Sequence, residues 1–289
     1  MALSLFITLA FVGVEAAAGY LANSLALITD AAHNLTDAAA LGLSWYALNM
    51  GARPAHAGKT FGYHRVGILA ALINSSTLVL IAVGIGYEAW QRIDSPSPVS
   101  ADLLMGVGGI ALIVNLFTAW LVSHGKEHDL NMHAAFLHLM GDVVSTVGAI
   151  LAGAGIYLTG LNWLDPLASV LIGLLIVWNA WSILRETLDI LLENTPRDIE
   201  MSGLVRDLMR LDGVEGVHDL HVWSLSRNLR YLSAHVVVKD RLLSDTMTIR
   251  EAASDLIRQE YRISHVTLQF ESMPCSPDAL YCNAGHEAH

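Results

Sequence analysis

No lysine or arginine occurs before Arg53, and charged residues make up only 15% of this 289-residue chain. Soluble domains carry about 25%, so much of the chain is not built for water. The missing cations exclude two further classes. EAAAG at residues 15–19 resembles a leader-peptide cleavage site, but a secretory leader needs a positive segment ahead of its apolar run, and Glu15 within the run is out of place. A net charge of -11 leaves no basic stripe to meet nucleic-acid phosphates. Cysteine is as scarce: Cys275 and Cys282 both lie near the C-terminus, so no disulfide framework holds the body together. The H-E-x-x-H signature of helix-borne zinc hydrolases is absent as well.

What the chain has instead is apolar length. Hydrophobic residues make up 54% of it, and the mean hydropathy is +0.48. Six apolar segments are long enough to cross a hydrocarbon layer, which takes roughly 20 residues each. They run over Leu3–Leu21, Leu25–Met50, Val66–Trp90, Leu103–Val122, His133–Leu158 and Trp163–Leu184. The first is read as a membrane helix, and the abrupt start of the chain within it as a sign that an N-terminal arm is missing. Ala22-Asn23-Ser24, Gly51-Ala52-Arg53-Pro54, Asp94-Ser95-Pro96-Ser97-Pro98 and Thr159-Gly160-Leu161-Asn162 punctuate the series. Arg53, Lys59, Arg65, Lys126 and Arg185 fall on one side of the resulting topology and Arg92 on the other. By the bias of basic loops toward the cytoplasm, both termini are cytoplasmic.

Past Pro196 the pattern changes to that of a soluble domain. Residues 198–211 are apolar at helical spacing, with Gly213 as a stop. Residues 217–225 and 231–238 read as paired strands, 246–260 as a second helix and 265–270 as a last strand. The order αββαβ implies a small α+β sandwich. The expected organisation is a membrane domain over 1–195, a soluble domain over 196–272 and a flexible tail over 273–289.

The chain is organised around two short patterns within the apolar runs. His33 and Asp37 lie in HNLTD, and His138 and Asp142 in HLMGD. Spacing i, i+4 stacks each pair on one helix face. An acidic side chain near the bilayer centre costs roughly 2.5–3.5 kcal/mol, so a partner or a purpose is expected. One His–Asp pair hiding from lipid would explain one pattern; a repeated pair favours a joint site. Two imidazoles with two carboxylates suit tetrahedral Zn²⁺. The same four groups take protons, so metal and protons compete for them.

In these segments the chain resembles the cation diffusion facilitator family, in its zinc-transporting branch. SLALITDAAHNLTD, KTFGYHR followed by LAALIN, AAFLHLMGD, Asp165-Pro166 and GVHDLHVWSLS carry the likeness over nearly the whole chain. The resemblance implies a homodimer in the cell membrane that exports zinc, cadmium or cobalt from the cytosol against protons, with His33, Asp37, His138 and Asp142 as the transport site. It implies six transmembrane helices followed by a ferredoxin-like cytosolic domain that binds further metal. His218 and His235 are then ligands there with Glu271, while Gln269 occupies a position where a ligand is expected. A metal sensor without flux and a membrane metallohydrolase are the competing functions; four ligands would close the shell a hydrolase needs open.

Other ionisable groups are weaker candidates. Glu15 reads as a hydrogen-bonding group beside the site. His56 and His64 flank a basic loop without a nearby carboxylate. His124, His128 and His133 with Glu127 and Asp129 make a His-rich loop. His221 lies near the soluble-domain ligands, and Cys275, Cys282, His286 and His289 belong to the tail. Capture of metal and plain solvation are both open for these groups.

Overall fold

The computed structural model describes residues 2–94, 97–123, 130–240 and 242–273, apart from the side chains of 2–8, 94, 121–122, 130–135, 137–138 and 243. Six long helices come first: α1 (Ala2–Ala22), α2 (Leu25–Gly51), α3 (Arg65–Asp94), α4 (Ala101–Ser123), α5 (Leu130–Thr159) and α6 (Leu164–Leu191). Four of them contain strongly apolar spans, at Arg65–Ile93, Ala101–Trp120, Leu139–Thr159 and Leu164–Leu191. Among the residues whose side chains are described, α1 contributes the apolar stretch Leu9–Ala22. α2 is 27 residues long but its buried face includes Thr29, Asp30, His33 and Thr36, which lowers its hydropathy. The sequence expectation of six apolar spans is therefore met outright by four helices.

Packing in this helical domain is inverted relative to a soluble protein. Its core is built from small or compact residues, among them Ala22, Ala26, Ala149, Ala152, Ala168 and Ala180, around Leu27, Leu104 and Ile172. Large apolar side chains such as Trp45, Leu80, Trp120, Leu158 and Trp178 face outward. Outward bulk and inward small residues suit a lipid surround, where close backbone approach stabilises helix pairs. Gly19 shows the tolerance: a Cβ there would lie 3.0 Å from the backbone nitrogen of Ile28. Asn23, at φ 53°, makes the left-handed turn from α1 into α2, a conformation Asn adopts at helix ends.

The C-terminal domain follows with α7 (Met201–Met209), β1 (Val214–Ser226), β2 (Leu229–Val238), α8 (Leu243–Tyr261) and β3 (His265–Glu271). The order is the αββαβ expected from the sequence. The three strands lie side by side as β1-β2-β3. β1 and β2 are antiparallel, while β2 and β3 are parallel, joined through α8. Leu220, Val222, Leu232, Ala234 and Leu268 pack with Leu204, Leu208, Ala253 and Ile257 of the helices. The alternate positions His235, Gln269 and Glu271 therefore occupy the other sheet face. Gly213, at φ 90°, turns α7 into β1. Residues 49–69 and 186–289 form one compact unit, separate from the helical unit of 1–48 and 70–185. Within it Phe61 meets Tyr231 edge-on at 5.4 Å, and Arg65 donates to Glu193 at 2.8 Å.

Candidate metal centres

The two described parts of the helical-domain pattern meet across helices. His33 on α2 places Nε2 3.5 Å from Asp37 Oδ2, one turn along the same helix, and 3.2 Å from Asp142 Oδ1 on α5. Donors around a tetrahedral Zn²⁺ at 2.0–2.1 Å are about 3.4 Å apart, so this spacing fits a common ion. His33 and Asp142 are buried, and the three donor atoms lie within 4.8 Å of one another. His138 lies one turn before Asp142 on α5; its side chain is outside the described residues.

A buried clamp sets the start of α2. The Asp165 carboxylate, at the start of α6, accepts from Ser24 Oγ at 2.6 Å, from the Leu25 amide at 2.7 Å and from the Ala26 amide at 3.3 Å. Ser24 Oγ in turn accepts from the Leu27 amide at 3.3 Å. Three otherwise orphaned amides are thereby satisfied, and an anion sits at the positive end of the helix. Asp165 is 0% exposed, so its charge is stabilised by these donors. The clamp fixes the helix end from which Asp30, His33 and Asp37 project.

A polar layer lies beside the cluster. Asn34 donates to Glu15 Oε2 at 3.1 Å. Thr146 Oγ1 lies 3.3 Å from Asp30 Oδ2, donates to the Asp142 carbonyl at 2.8 Å and receives Asn115 Nδ2 at 3.2 Å. Glu15 is thus a hydrogen-bonding neighbour, as expected. Asp30, Thr146 and Asn115 escaped the sequence reading. Asp30 stands three residues before His33, a spacing that puts both on one helix face; Thr146 and Asn115 carry no such signal.

In the C-terminal domain the candidate ligands come from three strands. His218 on β1 stands directly opposite His235 on β2, with their rings 5.1 Å apart at 80°. Glu271 at the end of β3 reaches both, 3.2 Å from His218 Nε2 and 2.9 Å from His235 Nδ1. These approaches lack hydrogen-bond geometry, leaving His218 Nε2, His235 Nδ1 and Glu271 Oε2 as buried atoms without a hydrogen bond. Atoms that converge on a point rather than on each other fit a bound cation, and two imidazoles with a carboxylate suit zinc. Gln269 donates to Glu271 Oε1 at 2.8 Å, which orients that candidate carboxylate. Asp219, at φ 47° in a bulge, lies 3.1 Å from His221 and 3.7 Å from His235. The bulge that aims Asp219 at two histidines has no sequence signature.

The remaining candidates join neither cluster. His56 contacts Tyr63 Oη at 3.1 Å, and His64 lines a cavity of about 730 Å³ with Lys59, Arg65 and Trp223. His124, Glu127, His128, Asp129, Cys275, Cys282, His286, His289 and the side chain of His133 lie outside the described residues.

Metal-type donor atoms thus gather among helices long and apolar enough to cross a membrane. Residues 1–192 match the cation efflux transmembrane domain, and residues 196–273 match the cation efflux protein cytoplasmic domain. The chain belongs to the cation efflux family, a family of transporters and not of enzymes. The "Cadmium, cobalt and zinc/H(+)-K(+) antiporter" of Bacillus subtilis is 38% identical over 277 residues, 93% of this chain and 88% of the relative. The "Zinc transporter ZitB" of Escherichia coli is 35% identical over 285 residues, 98% of this chain and 90% of the relative. A solved metal-bound C-terminal domain of the CzcD transporter from Cupriavidus metallidurans covers 25% of this chain and 99% of its own, at 27% identity and TM-score 0.24.

Proposed function

We propose that the chain exports zinc, or the related cations cadmium and cobalt, from the cytosol in exchange for protons. The cargo site is formed by His33, Asp37, His138 and Asp142. The observation that carries this reading is the approach of Asp37 and Asp142 to one buried imidazole nitrogen, at 3.5 and 3.2 Å. Nitrogen and oxygen donors together favour zinc over magnesium or manganese. Each donor must be proton-free to bind the ion, so a proton arriving from the far side expels it and the ion arriving from the cytosol expels the proton. The names of the relatives support zinc as cargo and proton antiport as mechanism.

The rest of the architecture is proposed with it. All six long helices cross the cell (inner) membrane, with α2 tolerated because its polar face lines the site and is not exposed to lipid. The membrane domain covers 1–195 and the ferredoxin-like cytosolic domain 196–272; the tail expected from 273 onward lies, past Met273, outside the described residues. Residues 49–69 share a compact unit with 186–289; this supports placing the loop between α2 and α3 on the same, cytoplasmic side as the C-terminal domain, with the N-terminus there too. The chain works as a homodimer, and His218, His235 and Glu271 hold a resident zinc that ties the three strands together.

Purified protein in sealed liposomes tests the function. Zinc flux that follows an imposed pH gradient and weakens as cytosolic-side pH falls from about 8 to about 5, the range where imidazole titrates, is the expected result. Metal binding without flux would replace the transporter with a sensor.

A further inference from the structure

Glu15 on α1 and Asp30 on α2 are 0% and 1% exposed, yet they lack what stabilises the equally buried Asp165. No lysine or arginine occurs on α1 or α2. Arg92 is held by Glu88 and by the Asn23 carbonyl. One oxygen of each carboxyl has a neighbour, Asn34 for Glu15 Oε2 and Thr146 for Asp30 Oδ2. The Thr146 hydroxyl has a single hydrogen, and the Asp142 carbonyl takes it at the shorter distance of 2.8 Å. Glu15 Oε1 and Asp30 Oδ1 are buried and receive no hydrogen from any other residue, while the two carboxyls lie within hydrogen-bonding reach of each other. Two ionised carboxylates so placed would repel without relief; one proton between them satisfies both.

We propose that Glu15 and Asp30 hold one proton between them in the metal-free protein and release it when zinc occupies the neighbouring cluster. The proposal rests on the transport reading for the identity of that cluster. Among the described residues, and besides Glu15 itself, His33 on α2 and Asp142 on α5 are the titratable groups that face Asp30; the other neighbours, Asn34, Asn115 and Thr146, are neutral. A divalent charge one helical turn from Asp30 favours ionisation of both carboxyls, and the proton leaves to water. Return of the proton from the opposite side disfavours the bound ion in turn. Proton and metal then exclude each other without sharing an atom, a second coupling beside direct competition at the ligands.

Infrared difference spectroscopy on the full-length protein, zinc-bound minus zinc-free, reads this directly. The expected result is loss on zinc binding of one carbonyl-stretch band of a neutral carboxylic acid. That lost band should be absent in both Glu15→Gln and Asp30→Asn. The same variants should bind zinc at His33, Asp37 and Asp142 while releasing about one proton fewer per ion. Glu15→Gln keeps the acceptor for Asn34 and supplies a donor to Asp30, so it preserves the packing. A wild-type spectrum without a lost acid band overturns the proposal, with no variant needed. An unchanged band or unchanged proton release in variants that still bind zinc overturns it too. An unchanged number of zinc ions bound per chain after removal of both Asp37 and Asp142, with the ion at His218, His235 and Glu271 counted in both proteins, would instead overturn the transport-site reading.

Discussion

In the helical domain, candidate ligands one turn apart on α2 meet a carboxylate from α5; in the C-terminal domain, candidate ligands from three different strands meet at the end of a sheet. Donor chemistry is the same in both, imidazole with carboxylate at 2.9 to 3.5 Å. Their surroundings differ. The helical cluster is bordered by further ionisable groups, Asp30 and Glu15, and by single-hydrogen donors such as Thr146. The sheet cluster is bordered by Gln269, which donates to Glu271, and by one ionisable neighbour, Asp219, which lies 3.7 Å from His235 and 3.1 Å from His221 at the sheet surface. A site that must load and unload needs neighbours whose protonation answers the ion. A resident site needs only convergent donors held by a rigid sheet. The contrast agrees with the proposed roles, cargo site for the first cluster and resident site for the second.

The largest effect should come from breaking the helical cluster. Asp142→Ala or Asp37→Ala should lower zinc flux in liposomes by about 100-fold or more, since even outer-shell partners of metal ligands are worth 10–100-fold. Normal flux in either variant would remove the distinction drawn here. The next effect is on stability. Asp165→Ala strips the α2 terminus of its acceptor and should cost about 2–4 kcal/mol, as buried donors left unsatisfied cost about 1–3 kcal/mol each. Thermal unfolding in detergent should show it, and a midpoint equal to wild type would mean α2 is fixed otherwise.

His235→Ala sharpens the contrast from the other side. It should remove about one tightly bound zinc per chain, measured by metal analysis of dialysed protein, and leave flux within about tenfold of wild type. Flux abolished together with that zinc would make the sheet site part of the transport path. The smallest effect concerns Asp198. Its two hydrogen bonds from Arg230, both 2.9 Å, hold its carboxyl below the usual range. The folded value is the lower one, so the pair stabilises at neutral pH and the contribution is lost as pH falls through that depressed value. Because Asp198 is exposed, the loss should stay below about 1 kcal/mol. Acid titrations of wild type and Arg230→Ala would reveal it, and a larger difference would show a wider network.

Legibility in the sequence follows the scaffold. His33 with Asp37 and His138 with Asp142 stand out because helical neighbours are four apart in sequence. The order αββαβ was equally readable, since alternation and helical periodicity are local. α2 was readable as a long helix, and the polar residues within it, Asp30, His33 and Asp37 among them, stand in the sequence as well. The sheet ligands were not readable from spacing. His218 and His235 become partners only through strand register, and Glu271 only through a parallel crossover; the family likeness alone pointed to them. Asp165 was visible as part of a resemblance, but its task, capping a helix 140 residues away, exists only in three dimensions. Asp219 depends on a bulge that no local pattern announces.

Anomalous X-ray scattering at the zinc edge, from crystals of the full-length protein grown with zinc, tests the central claim most directly. A peak is expected within bonding distance, about 2.0–2.2 Å, of His33 Nε2 and of oxygens of Asp37 and Asp142, and it should be lost in Asp142→Ala. Saturating zinc that gives a peak at His218, His235 and Glu271 but none at His33 would contradict it.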